Sequence, residues 1–387
     1  MRDCVVITIP PINLANFLSL SEDRSFHEIY VAGRFKVIDW LIGNFERLGI
    51  EDFVVITNNP SVKEHIILSW DNIRFVLLIK VEDYFKFDYA NFGVGQYIRQ
   101  FSNSDRNYFD LENFLYQNYK KVFWAIGYPI WFPLDDYYHD IRNLSVGLMY
   151  SRIGNIQYYH TGVFSQRYFS ELFEAIKNET FNTFIQLYKE HNSYEVKYFI
   201  FYPFSNLKEY FKMNLSILDI KIINEFEVIF GKYPIRSKSR YLNPAVIGRH
   251  GKFINSLIGD ESFVDGVVEN SIVCPNVRIE KDTKVRNAII YPGNWIGKGV
   301  EMNNVVIDET TISLKFANIS DECVLGGKGL GAPNTRYPSI MNFDATLIGK
   351  NVILPRKTQV SLNAYIPSNI DVSKLKLGKH IKSSTVF

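Results

Sequence analysis

Aliphatic residues recur every six positions through the C-terminal part of this 387-residue chain, and that period limits the fold more than any other feature. The clearest register starts at Ile348 and runs through Leu354, Val360, Ile366 and Val372. Val352, Thr358, Ala364 and Ile370, all small or aliphatic, follow its first four members by four residues. The period also occurs at Val273, Ile279 and Val285, and again at Ile290, Ile296 and Met302. A strand repeats its faces every two residues and a helix about every 3.6, so neither produces six. A parallel β-helix does. Each short strand points one aliphatic side chain inward, a tight turn follows, and stacked coils bury a continuous column. Hexapeptide repeats of this kind predict a left-handed parallel β-helix over residues 241–387. Between Ile307 and Ile348 the register slips, which predicts a loop interrupting the coils.

The first half reads differently. Cys4-Val-Val-Ile-Thr-Ile9 is an apolar run stopped by Pro10-Pro11, as expected of a buried strand. Ile38, Leu41, Ile42, Phe45 and Leu48 repeat at helical spacing, and Gly49 is placed to end that helix. Phe53–Thr57 is a second buried strand. Strand, helix and parallel strand make a βαβ unit, so residues 1–235 are expected to form a Rossmann-like α/β domain. Val122–Ile126 and Val196–Tyr202 read as further strands, and helices are expected near Asp136–Arg142 and over Phe169–Ile176. The polar stretch Arg236–Arg240, followed by Asn243-Pro244, reads as the linker between the two domains.

Composition removes several classes of function. With 47% hydrophobic and 22% charged residues, the chain is that of a folded protein. Its 15% aromatic content comes without a basic stripe, so the rings are expected to fill cores and interfaces. Net charge is +2 with scattered basic residues, which argues against nucleic acid as a partner. Cys4, Cys274 and Cys323 are odd in number and form no CxxC pair, so a reduced, cytoplasmic setting is expected. No stretch has the length of a membrane span.

Several constellations reduce to ordinary roles. Gly326-Gly-Lys-Gly-Leu-Gly331 looks like a phosphate-cradling loop, but β-helix repeats surround it and no helix follows, so it reads as a flexible protruding loop. Asp135-Asp136 reads as a helix cap. The seven histidines are single and spread out, with no zinc-binding spacing. His250 and His380, at the two ends of the second half, are poorly placed to serve an acyltransferase.

Two halves of these kinds, in this order, resemble the sugar-1-phosphate nucleotidyltransferases. Ala32-Gly-Arg-Phe-Lys-Val-Ile-Asp39, then Asn44 and Gly49-Ile50, is similar to ADP-glucose pyrophosphorylase, which reads Gly-Gly-Lys-Tyr-Arg-Leu-Ile-Asp there. Arg240–Ala245, Asn255–Gly259, Val268–Ile272, Ile290–Gly293 and Ile296-Gly297 are similar to the start of that family's β-helix. The likeness is weak from about Pro60 to Asn118.

The resemblance also implies what a catalyst needs, and here the sequence departs from it. The family's loop Gly-Gly-x-Gly-Thr-Arg holds nucleotide phosphates on backbone amides and carries a charge-stabilising Arg. With Arg24 at the family's Arg before Ala-Lys-Pro, that loop falls on Pro11–Asn16. Pro11 lacks an N–H, Ile12 and Leu14 stand where glycines should be, and Asn16 takes the place of the Arg. The family's Lys falls on Phe26. Its magnesium-binding Asp falls on Tyr128, within Ile126-Gly-Tyr-Pro129. Its Trp-x-Asp-Ile-Gly-Thr motif falls on Phe204–Lys208 without Asp or Gly.

Ala32-Gly33-Arg34 and Gly127-Tyr128 are most similar to the non-catalytic, D-type glycogen biosynthesis subunit, which modulates an active subunit in a mixed oligomer. The resemblance therefore implies a catalytically inert regulatory or structural homologue. It would need no cofactor, and its partners would be a catalytic nucleotidyltransferase homologue, further copies of itself, or both. Two alternatives stand beside it. One is an active glucose-1-phosphate adenylyltransferase that uses Mg²⁺ and a rebuilt site, with Arg24, Arg34 and Lys36 as its remaining phosphate or sugar contacts. The other is a sensor that holds a sugar phosphate or nucleotide without turnover.

Overall fold

The computed structural model describes residues 2–8, 12–57, 59, 61–70, 73–81, 98–100, 111–126, 131–133, 143–177, 193–196, 198–201, 203–219, 221–222, 243–327, 329–375, 378–385 and 387. The helix expected near Asp136–Arg142, the Asp135-Asp136 pair and the linker Arg236–Arg240 lie outside these residues.

In the first half the strands are β1 (Arg2–Thr8), β2 (Tyr30–Val31), β3 (Phe35–Lys36), β4 (Asp52–Ile56), β5 (Phe75–Val81) and β6 (Ile98–Gln100). They continue as β7 (Tyr119–Ile126), β8 (Trp131–Pro133), β9 (Val146–Ile153), β10 (Ile156–Ser165), β11 (Ser193–Glu195) and β12 (Tyr198–Phe201). Eight of them form one sheet in the order β11-β9-β10-β7-β1-β4-β5-β6. β1 runs parallel to both β4 and β7. Its apolar run is continuous because both faces of the sheet are covered. Val5 and Ile7 enter one core cluster, and Cys4 and Val6 another. The helix Val37–Glu46 returns the chain from β1 to β4, and Gly49 follows it at φ +69°. The expected helix at 169–176 is Phe169–Lys177. The strand expected at 196–202 is described over Tyr198–Phe201, as β12, and pairs with β8 apart from the main sheet.

The second half is a parallel β-helix. Every residue of the six-residue registers is buried in its core, from Val273, Ile279 and Val285 to Ile348, Leu354, Val360, Ile366 and Val372. Strand pairing explains the two separate registers. Val273 pairs with Ile290, and Ile290 with Ile307, so each of these coils takes two steps of six and one of five. Ile348 pairs with Ile366, which restores three full steps. The coil corners bring residues into left-handed backbone. Asn fills many of them (Asn255, Asn270, Asn287 and Asn304) because its side chain tolerates that region best after glycine. The predicted interruption is present. Val305 pairs with Thr346, and the chain between them makes a β-strand at Val324–Gly326 and two excursions from the coils.

The two halves share a core. Ile289, Tyr291, Val306, Leu347 and Tyr365 of the β-helix pack in one cluster with Phe17, Leu20, Ile29, Val31, Tyr210 and Phe211 of the first half. No helix among the described residues is long and apolar enough to cross a membrane.

Candidate functional site

Strand order reverses at β1, with β4 on one side and β7 on the other. In open α/β sheets, ligands sit in the crevice beyond the carboxyl ends of the strands at such a point. Thr8 ends β1 and Ile126 ends β7, and the Thr8 hydroxyl donates to the Ala125 carbonyl at 3.2 Å. Pro11, Gly127 and Tyr128 lie outside the described residues.

Residues from 12 onward continue the chain beyond the carboxyl end of β1. Leu14–Ser21 is a 3-10 helix, and Asn13 caps it. The Ala15 N–H donates to Asn13 Oδ1 and the Asn16 N–H to the Asn13 carbonyl, each at 3.0 Å. Two amides of this turn are thereby used inside the turn itself. Ile12 is buried, and Leu14 and Asn16 are half-buried.

Phe26 and Phe204, 178 residues apart, meet in the core beneath this turn. Their ring centroids are 5.4 Å apart, and Phe17 stands edge-on to both, at 5.8 Å from Phe26 and 5.9 Å from Phe204. All three are fully buried. Tyr210 extends the cluster at 5.6 Å from Phe204. Next to Phe26, His27 Nε2 donates to the Thr8 carbonyl at 3.4 Å, and Nδ1 accepts from the Ser25 hydroxyl at 3.2 Å. That tautomer is the neutral one, and burial lowers the His27 pKa to about 4. The group against the end of β1 is therefore an uncharged ring.

Each of the three cations singled out in the sequence faces a carboxylate. Arg24 Nη1 donates to Asp308 Oδ1 at 2.8 Å, and Nη2 lies 2.9 Å from Glu309 Oε1. The second contact lacks hydrogen-bond alignment, so it is a charge contact. The guanidinium also lies over the Tyr291 ring, 5.4 Å from its centre. Burial opposes its charge, but Asp308 and Glu309 more than offset that and raise the Arg24 pKa. Burial likewise pushes Asp308 up to about 6, against the pull of Arg24. Lys36 is 3.5 Å from Glu28, a buried carboxylate that also accepts from Asn59 at 2.7 Å and Ser61 at 2.5 Å. Arg34 is 3.7 Å from Asp260 of the β-helix. The three cations thus sit on different carboxylate partners.

Sequence reasoning missed Phe17 as a partner of Phe26, and Asp308 and Glu309 as partners of Arg24. No local signal existed for either.

The glycine-rich loop protrudes only in part. Leu330 is 93% exposed, but the Gly331 N–H donates to Asp344 and the chain beyond it folds back, with Phe343 5.9 Å from Phe211. A surface groove beside Gly327 is lined by Lys284, Arg286, Glu301 and Asn303. Its cations are paired within the β-helix, Lys284 with Glu301 and Arg286 with Glu269, both at 2.8 Å. No group of three or more His, Cys, Asp or Glu side chains among the described residues is placed to hold a metal ion.

Comparison with known proteins agrees with this architecture. Residues 242–326 match the GlmU-like C-terminal hexapeptide family. The chain is also 27% identical over 179 residues to the glucose-1-phosphate adenylyltransferase of Fervidobacterium nodosum, an alignment covering 44% of this chain and 41% of that protein. The match thus spans less than half the length of that relative. These likenesses, with the fold, support a distant kinship with the glucose-1-phosphate adenylyltransferase, or ADP-glucose pyrophosphorylase, family.

Proposed function

We propose that this chain is a catalytically inert homologue of ADP-glucose pyrophosphorylase, of the D-type subunit kind, that acts by contact with an active nucleotidyltransferase subunit. The observation that carries this reading is the buried Phe17–Phe26–Phe204 cluster. Nucleotidyl transfer depends on positioning the phosphates and neutralising their charge. At the positions where the family resemblance calls for a lysine and an Asp-containing motif stand Phe26 and Phe204, buried against each other and Phe17. Beside them stand a neutral histidine and amides already bonded to Asn13. A triphosphate placed there would lose its water and gain few donors, a loss of several kcal/mol per unpaired charge. The same reading expects no resident metal or cofactor. The three cysteines are buried free thiols, and a reduced, cytoplasmic setting fits them.

The test is release of pyrophosphate from ATP with glucose 1-phosphate and Mg²⁺. The isolated chain is expected to release none above background, and to change the rate or effector response of a catalytic homologue when the two are mixed. Turnover by the isolated chain at an ordinary enzymic rate, about 1–10³ s⁻¹, would contradict the proposal and favour the rebuilt-site alternative.

A further inference from the structure

The boundary between the two halves holds an ionic network that the proposed function does not use. Arg24 reaches from the turn after the 3-10 helix to Asp308 and Glu309, which follow a β-helix strand. Lys350, from a later coil, lies 2.6 Å from Asp23 and 3.1 Å from Glu309. Glu22 accepts from the Ser368 hydroxyl at 2.8 Å. Three consecutive residues, 22 to 24, are thus tied to three separate points along the β-helix. Arg24 also donates to the Leu20 carbonyl at 3.5 Å, so the same guanidinium touches the 3-10 helix Leu14–Ser21 that follows β1.

We infer that Arg24 is a latch that fixes the β-helix on the α/β domain and joins its position to that of residues 14–31. The seam itself interlocks, with the Tyr210 and Tyr291 hydroxyls 2.7 Å apart across it, and the ion pair adds a charged tie at its edge. A buried ion pair adds little net stability, yet it is costly to break and admits few geometries. The Arg24–Asp308 pair meets that description, with side chains 6% and 0% exposed. Around it stand Glu309, Lys350 and Asp23, with the Tyr291 ring under the guanidinium and the Tyr210 hydroxyl 2.7 Å from that of Tyr291. A displacement of the β-helix, such as a partner would impose, pulls on Arg24 and through it on Leu20 and the turn at 12–21. The inference concerns this chain's own mechanics and stands whether or not a catalytic partner exists.

Hydrogen exchange read by mass spectrometry on the full-length protein tests it. In Arg24→Met, amides in residues 14–31 and in 305–310 and 346–350 are expected to exchange together, about tenfold faster or more, while β4 and residues 263–273 are unchanged. Lys284→Met, which breaks an ion pair inside the β-helix, is expected to leave all of these as they were. Acceleration confined to 14–31, or none, would overturn the inference. Should Arg24→Met not fold, Lys350→Met at the rim reads the same coupling, with about threefold acceleration expected in both segments. Unchanged exchange at 305–310 in that variant would equally overturn it.

Discussion

Single side chains carry the argument about chemistry, and His27 is the most measurable of them. Its folded-state pKa of about 4 lies below the value near 6.5 expected of an unfolded chain, because burial disfavours the charged ring. The unfolded protein therefore takes up a proton that the folded one resists. His27's contribution is intact above about pH 6.5 and is lost as pH falls toward 4, at up to about 1.4 kcal/mol per pH unit. Asp308 acts in the opposite sense between about pH 4 and 6, since its raised pKa makes the folded state the better proton acceptor. His27→Gln should remove the histidine slope and leave the Asp308 part. Denaturant unfolding at several pH values checks this, and an unchanged slope would show that His27 is not buried neutral. At this scale the sequence was partly legible. The residue types at 11–16, 26 and 128 already departed from the pattern of the family that the sequence resembles. That Phe26 would meet Phe204 and Arg24 would meet Asp308 was not readable, because pairings across 178 and 284 residues leave no local pattern.

Elements were legible wherever burial repeats along the chain. The six-residue pattern fixes the β-helix because each coil buries the same positions, so the signal accumulates from coil to coil. The two excursions after Ile307 had no period to reveal their course, and only their presence could be foreseen. Corner glycines test the close stacking of the coils. Gly293 has φ +79°, and a Cβ there would lie 2.0 Å from the Thr310 carbonyl oxygen of the next coil. Gly154, in the β9–β10 turn, has φ +58° and nothing within 4 Å of such a Cβ. Gly154→Ala is expected to cost about 1 kcal/mol from backbone conformation alone. Gly293→Ala should cost at least about 3 kcal/mol, as strain and a backbone clash add to that term. Equal losses in thermal or denaturant unfolding would mean that the coils are less tightly stacked at this corner than described.

At the scale of the whole molecule, an α/β domain and a β-helix pack through a common apolar core, and an ionic network crosses their boundary. That plan fits the distant kinship with the glucose-1-phosphate adenylyltransferases, while the core packed against the end of β1 holds three phenyl rings and a neutral imidazole. On this account the plan is kept for contact with another subunit and the chemistry is not. Calorimetric titration of the full-length chain with ATP and Mg²⁺ tests that claim most directly. The account predicts no saturable heat up to about 1 mM, the upper end of ordinary substrate affinities. A saturable isotherm with a micromolar Kd, lost on substitution of residues lining the crevice, would contradict it.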